Sequence, residues 1–408
     1  MLTSDQNRKI NEIVEEFKEA ADFYRMEYSE DLMGMFRDFG CMLLLKCKVD
    51  TEGKADLERL LEGRHKLKGT VKRQLMTVSE ELAQLWAPGE QDGSGDTGEY
   101  EGSQNVREMF QTALEEIFHF CLYSKGGKNR YLLLEETAKP LLRLLTFPEG
   151  MMAGNEGLVV LDTQCGAGSA LMAASRYLKN LRLMGYEKDE EMWAAAVIMS
   201  QLSGLEMELH LEDGARADLY ESCDLVISNP VYGTDTIKDE ELIDQLPGEL
   251  KTVRGRYHME LIRSMQALNF DGKAMLIVPN SFLFANRTES MKVRKWLLQS
   301  YSLEAIISLP EDTFMYSGVR SGVMVFSKPF MSGGWEGHTQ RVLYYNLEKQ
   351  EDKEKQQKEY ERLEEVWSQR DSYYGKWERS RREKTVENRN GIKAVSYTHL
   401  TLPTTSRV

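Results

Sequence analysis

The sequence predicts an α/β fold: a mainly parallel sheet with helices on both faces, preceded by an α-helical N-terminal domain. Two observations carry this. From about residue 157, short runs rich in β-branched and apolar residues alternate with segments of helical period, and that alternation builds a parallel sheet. Upstream, apolar residues recur with a helical period instead. The chain has 408 residues, 41% of them hydrophobic and 29% charged, enough for two or three domains with a large core.

Residues 1–85 read as helices. In "NRKINEIVEEFKEAADFYRM" the apolar positions are Ile10, Ile13, Val14, Phe17 and Ala21, one helical face. "EDLMGMFRDFGCMLLLKCKV" is a more buried helix, and residues 57–86 supply one or two more. Residues 86–105, rich in Gly, Ser and acids, have no core of their own and read as a linker. Helices resume at "VREMFQTALEEIFHFCLYS" and "LLLEETAKPLLRLLTF". The strands expected next are "GLVVLD", "LRLMGYE", "MELHLED", "CDLVISNP", "KAMLIVP", "LEAIISLP", "GVMVFSK" and "RVLYYNLE". Most of the intervening segments, such as "EEMWAAAVIMSQLSG", "HMELIRSMQALNF" and "MKVRKWLLQSY", are helical. The α/β domain so defined spans 106–347, and 348–393 carries a highly charged helix, a connector or a docking element. The final "VSYTHLTLPTTSRV" fits nothing upstream and resembles a translated sequencing-adapter read-through. Residues 394–408 are read as a non-native tail, which leaves the natural carboxyl end outside this chain.

Charge and cysteine usage narrow the function classes. A net charge of −14 excludes a protein that coats nucleic acid by bulk electrostatics, though a local basic face suffices for a DNA enzyme. The segments 64–73, 251–258, 287–295 and 376–384 are candidates for such a face, and each also reads as a solvated helix surface. The five cysteines, Cys41, Cys47, Cys121, Cys165 and Cys223, show no CxxC spacing, so neither a disulfide framework nor a zinc site is indicated. With neither an apolar run of membrane length nor a signal-peptide core at the start, a reducing cytoplasm is the expected compartment.

Four strand ends carry chemistry. Asp162 ends the first strand, and Gly166 and Gly168 form the turn that follows, where a ligand can approach the backbone. Glu187 ends the second strand about 20 residues later, where a nucleotide-binding sheet places an acid for ribose hydroxyls. Asp213 ends the third and is suited to accept from an adenine amino group. The fourth ends in Asn229-Pro230-Val231-Tyr232, a turn opener followed by an aromatic. No His pair with metal spacing accompanies them. His258, beside Arg254 and Arg256, could touch a phosphate, but reads more simply as a surface histidine.

This order resembles that of S-adenosylmethionine-dependent amino-methyltransferases, and more closely N6-adenine DNA methyltransferases, the modification subunits of type I restriction systems. Their glycine motif, Asp-Pro-x-Cys-Gly-x-Gly, is matched by Asp162-Thr163-Gln164-Cys165-Gly166-Ala167-Gly168. Their Gly-x-Glu is matched by Gly185-Tyr186-Glu187, and their Asn-Pro-Pro-Phe/Tyr by Asn229-Pro230-Val231-Tyr232. The likeness extends through 272–284 and 293–328 and covers roughly 115–347. Thr163 and Val231 each replace a family proline, and 130–145 offers only Thr137 and Pro140 where the family has Thr-Pro.

The resemblance implies a Rossmann-like methyltransferase sheet using S-adenosylmethionine. Asp162, Cys165, Gly166 and Gly168 would border the methionine end, Glu187 the ribose and Asp213 the adenine. Asn229 and Pro230 would grip the target amino group, and Tyr232 would stack on the base. It further implies double-stranded DNA as substrate, a separate specificity subunit and a restriction subunit. Two alternatives stay open: a protein glutamine-N5 methyltransferase, because an amide nitrogen poses the same chemical problem, and a catalytically weakened DNA- or cofactor-binding subunit.

Overall fold

The structure is a computed structural model. It describes residues 2–28, 31–50, 54–62, 67, 69–86, 100–124, 133, 135–145, 157–233, 235–284, 288–311, 313–314, 319–329, 342–370 and 393–395. The chain divides into two compact units. One comprises Met1–Arg130, Gly166–Gly168 and Asp189–Leu209; the other comprises Tyr131–Cys165, Ser169–Lys188 and His210–Val408.

The first unit is helical: α1 (Ser4–Glu27), α2 (Met33–Lys46), α3 (Ala55–Glu62), α4 (Gly69–Ala83), α5 (Tyr100–Leu122) and, from mid-chain, α8 (Glu190–Ser203). Thr3 and Gln6 form a capping box that satisfies donors at the start of α1. The five apolar positions predicted for that helix are all buried. The sequence assigns α8 to the α/β domain by its place between two strands. By contacts it belongs with the N-terminal helices, because Met192–Ser200 are all buried and its surface is apolar nearly all round. A Cβ on Gly40 would come within 2.4 Å of Ile198 Cδ1, so glycine there lets α2 approach α8 closely. The buried Arg37 guanidinium pairs with Glu190 at 3.5 Å and Glu191 at 3.1 Å. Helix α5 begins at Tyr100, inside the segment read as linker, while 87–99 lie outside the described residues.

The second unit is built on one sheet, edged by part of β3. Its strands are β1 (Leu158–Asp162), β2 (Leu181–Glu187), β3 (Met207–Leu211), β4 (Cys223–Ser228), β5 (Leu268–Pro279), β6 (Ser302–Ser308), β7 (Ser321–Ser327), β8 (Val342–Asn346) and β9 (Lys393–Val395). Their order is 3-2-1-4-5-7-6-8-9. β1 runs parallel to β2 and β4, β4 to β5, and β6 to β8. β7 is antiparallel to both β5 and β6, so the sheet is mixed. β5 starts at Leu268, before the "KAMLIVP" read from the sequence. Its early half carries Asp271 at φ 62°, whose N–H donates to Lys328 O at 2.6 Å and holds the irregular stretch to the end of β7. β9 pairs antiparallel with β8, so the expected boundary at 393/394 falls within a strand.

Helices α6 (Glu135–Leu142), α7 (Ser169–Tyr177), α9 (Glu240–Asp244), α10 (Arg256–Gln266), α11 (Asn280–Phe284), α12 (Thr288–Ser300) and α13 (Lys353–Ser368) complete this unit. The charged helix α13 buries one stripe, Leu363, Val366 and Trp367. Its Glu364 accepts two bonds from Arg143, at 2.9 and 3.0 Å. Thr137 and Pro140 lie buried within α6, which packs on α7.

Candidate active site

From β1 the chain lays β2 and β3 to one side, then returns to place β4 on the other. Ligands in such sheets bind at that reversal, beyond the carboxyl ends of the strands. Leu161 pairs with Val226, and Asp162 with Gly185. Asn229, just past β4, and Glu187, the last residue of β2, therefore flank the end of β1 on either side. Asp213 follows β3 on the same edge. The registers put Asp162, Glu187 and the Asn229-Pro230 segment at one edge of the sheet, and the Glu212 N–H bond to Glu187 O holds the turn carrying Asp213 beside the end of β2.

Asp162 is 2% exposed, and its Oδ1 accepts from Gln164 N at 3.0 Å. Burial lifts its carboxyl to about 7, against the Gln164 N–H, which lowers it, and with Glu187, which raises it further. Thr163, at the family proline, is used structurally. Its Oγ1 lies 2.5 Å from Ser264 Oγ and accepts from Gln164 Nε2 at 2.7 Å, while Ser264 Oγ donates to Glu260 O at 2.8 Å. Cys165 N donates to Tyr186 O at 2.9 Å. Burial drives the Cys165 thiol well above its ordinary range, so it stays protonated and unreactive. Gly166 and Gly168 sit at φ 56° and 77°, the left-handed region that L side chains avoid.

Glu187 O accepts from Glu212 N at 3.0 Å, and Tyr186 stacks on His210 with centroids 4.4 Å apart. Next to Asp213 is a residue that sequence reasoning missed. A Cβ on Gly214 would lie 2.3 Å from Thr163 O, so only glycine lets the Asp213 turn close onto the end of β1. Asp213 is itself held: Oδ1 accepts from Ala215 N at 3.2 Å, and Oδ2 from Arg256 Nη2 at 2.7 Å. Arg256 Nε donates to Glu260 at 2.8 Å. Burial raises the Glu260 carboxyl to about 7, opposed by Arg256 and Lys188. Arg256, Glu260 and Ser264 recur every fourth residue on α10 and so share one face of the helix. That spacing was the available signal.

In the Asn-Pro segment Asn229 is half-buried, Pro230 buried and Val231 44% exposed. The second family proline thus corresponds to an outward-facing side chain, and valine there leaves the core packing alone. Tyr232 packs edge-on against Tyr257, with centroids 5.7 Å apart, and its hydroxyl lies 3.3 Å from Ser321 Oγ on β7. Two expectations near α10 need correction. His258 is not a surface residue: its side chain is 17% exposed and Nε2 lies 2.8 Å from Ser290 Oγ. In the basic run 251–258, Arg254 donates to Lys251 O and Val253 O, Lys251 pairs with Asp244, and Arg256 pairs internally. The cations of this run are thus turned to its own loop and to neighbouring acids.

A family model for the N-6 DNA methylases matches residues 139–399. The chain belongs to the N-6 DNA methylase family. Among relatives of this family member, a type II restriction enzyme and methyltransferase from Heyndrickxia coagulans is 26% identical over 213 residues, 48% of this chain and 31% of that protein. The methylase subunit of a type I restriction enzyme from Methanocaldococcus jannaschii is 27% identical over 194 residues, 41% of this chain and 32% of that protein. The matched region thus spans about a third of the length of either relative. Among solved structures, the methyltransferase subunit of a type I restriction-modification system from Streptococcus thermophilus aligns with TM-score 0.57 at 16% identity. It covers 88% of this chain and 93% of that one, which shows a shared fold. Among the described residues, no helix is long and apolar enough to cross a membrane.

For this N-6 DNA methylase family member, the donor set suits an adenosyl cofactor. Consecutive strand ends present carboxylates, acceptors for ribose hydroxyls, an ammonium and an amino group. Gly214 keeps the third of them close to the first strand.

Proposed function

We propose that this chain is an S-adenosylmethionine-dependent methyltransferase that methylates N6 of adenine in DNA, as the modification subunit of a restriction-modification system. The observation that carries it is the placement of Asn229-Pro230 at the sheet's reversal point, beside Asp162, in a chain of this family. The names of both relatives, a methyltransferase and a methylase subunit, support the same reading.

Adenine N6 is a weak nucleophile because its lone pair is delocalised into the ring. The Asn229 side-chain oxygen and the Pro230 carbonyl each accept one N6 hydrogen and draw the nitrogen towards tetrahedral geometry. One such preorganised contact is worth about 3 kcal/mol. When bound, the cofactor supplies a sulfonium methyl, an electrophile that needs no further activation. Asp162, Glu187 and Asp213 bind and orient it through its ammonium, hydroxyls and amino group. The target base leaves the duplex at a cost of a few kcal/mol, offset by about 1–3 kcal/mol of stacking on Tyr232. Double-stranded DNA is the substrate, with a separate specificity chain choosing the site and a restriction subunit completing the system.

The test is transfer of a labelled methyl group from the cofactor to DNA and to protein, with and without Asn229→Ala. Label should enter adenine N6, and Asn229→Ala should slow it about 100-fold while cofactor affinity changes less than about threefold. Label entering protein rather than DNA, or full activity in Asn229→Ala, would overturn the assignment.

A further inference from the structure

Arg256 is the first residue of α10, and its backbone is pinned before its side chain does anything. Arg256 N donates to Asp235 O at 2.8 Å. The Glu289 carboxylate on α12 accepts from Arg254 N at 2.9 Å and Gly255 N at 3.1 Å, which satisfies amides just ahead of the helix start. From this fixed base the guanidinium, with 22% of its side chain exposed, spans two carboxylates: Asp213 through Nη2 and the 5% exposed Glu260 through Nε. A planar guanidinium with donors in a rigid fork fixes both acceptors in orientation as well as in charge. Arg216, 3.9 Å from Asp213 and 2.5 Å from Asp239, adds a second cation on the outer side.

The same face of α10 continues downward. Glu260 O accepts from Ser264 Oγ, which lies 2.5 Å from Thr163 Oγ1. One helix face thus ties the turn after β3 to the turn after β1, the two strand ends assigned to opposite ends of the cofactor. Without Arg256 the Asp213 carboxylate would keep only the Ala215 N–H and the more distant Arg216, and a loosely held acceptor discriminates poorly among ligands.

Resting on the function proposed above, we propose that Arg256 is a positioning residue: it orients Asp213 to accept from the exocyclic amino group of the cofactor's adenine. It thereby sets the preference for a 6-amino over a 6-oxo purine. Glu260 holds the other edge of the guanidinium and keeps it from swinging into the cofactor's place.

The experiment uses the full chain and two ligands, S-adenosylhomocysteine and its 6-oxo counterpart S-inosylhomocysteine, titrated by calorimetry. A hydrogen bond to a charged group corresponds to about 10–100-fold in affinity, so the wild type should prefer the amino ligand by that factor. Arg256→Gln should reduce the preference to within about threefold, and Arg256→Lys should restore part of it, since an ammonium reaches only one of the two carboxylates well. In a cycle with Asp213→Asn the double variant should show no further loss, because both changes remove one contact. A purely structural role would weaken both ligands equally and leave the ratio intact, and that result overturns the proposal. Tighter S-adenosylhomocysteine binding by Arg256→Gln would overturn it too, showing that the guanidinium competes with the adenine. Should Arg256→Gln fail to fold, Arg256→Lys is the test: its preference for the amino ligand should fall measurably below that of the wild type, and an unchanged ratio overturns the proposal. No binding of either ligand by the wild type would instead sink the cofactor assignment.

Discussion

Gly214→Ala adds one methyl group where the structure has no room for it. The new Cβ would stand 2.3 Å from Thr163 O, 2.9 Å from Tyr186 Cβ and 3.0 Å from Thr163 C. An ordinary carbon–oxygen contact is about 1 Å longer than the first of these, so the Asp213 turn and the end of β1 must part by about that much. The end of β1 cannot retreat cheaply. Thr163 is 1% exposed, its hydroxyl is bonded to Ser264 and Gln164, and Cys165 N is bonded to Tyr186 O. Forcing a methyl against backbone in a packed site costs about 1–3 kcal/mol. At about 2–4 °C per kcal/mol, the melting temperature should fall by about 2–12 °C. Asp213 moves with the turn, so S-adenosylhomocysteine affinity should fall about tenfold or more. Gly248→Ala is the control: nothing lies within 4 Å of its added Cβ, and it should melt like the wild type. The assay is a thermal melt of each variant followed by calorimetric titration. Wild-type melting and affinity in Gly214→Ala would refute the close approach of the two turns.

Burial raises Asp162 from 3.8 to about 7 and Glu260 from 4.5 to about 7, so the native state keeps protons that the unfolded chain has released. Their contribution to stability is full below pH 3.8 and is lost as pH rises through about 7. Melting temperature should therefore decline across that window, and Asp162→Asn should flatten the decline; an unchanged slope would count against the buried acid. Tyr232→Ala should lower kcat/KM for DNA about 5–150-fold through lost stacking, with cofactor affinity unchanged, whereas Tyr232→Phe should retain activity. Steady-state methylation against DNA concentration reads both.

Much of the site was legible because its residues sit at strand ends, and strands announce themselves locally. "GLVVLD" and "LRLMGYE" each end on an acid, "CDLVISNP" runs out through Asn229-Pro230, and parallel pairing then places those ends on one edge. The nine-residue α7 and the break at Gly166–Gly168 follow from the same local signals. What escaped was the support. Arg256 meets Asp213 across 43 residues of chain, and Thr163 meets Ser264 across 101. "RGRYH" carries the same charges whether it faces a phosphate or a buried carboxylate, so pattern alone could not choose between them. Gly214 in "LEDGA" reads as an ordinary turn glycine, since the atom that forbids a side chain belongs to another strand.

By itself, the sequence determined the alternating elements, the acids that close β1, β2 and the turn after β3, and the Asn-Pro-x-Tyr exit of β4. These depend on periodicity and on neighbours in the chain. Tertiary structure alone decided that β7 runs against β5 and β6, that α8 joins the N-terminal helices, and that α10 braces Asp213 and Thr163. Those outcomes depend on which distant backbone or charge comes within a few ångströms, a property of the packed chain that no local pattern encodes.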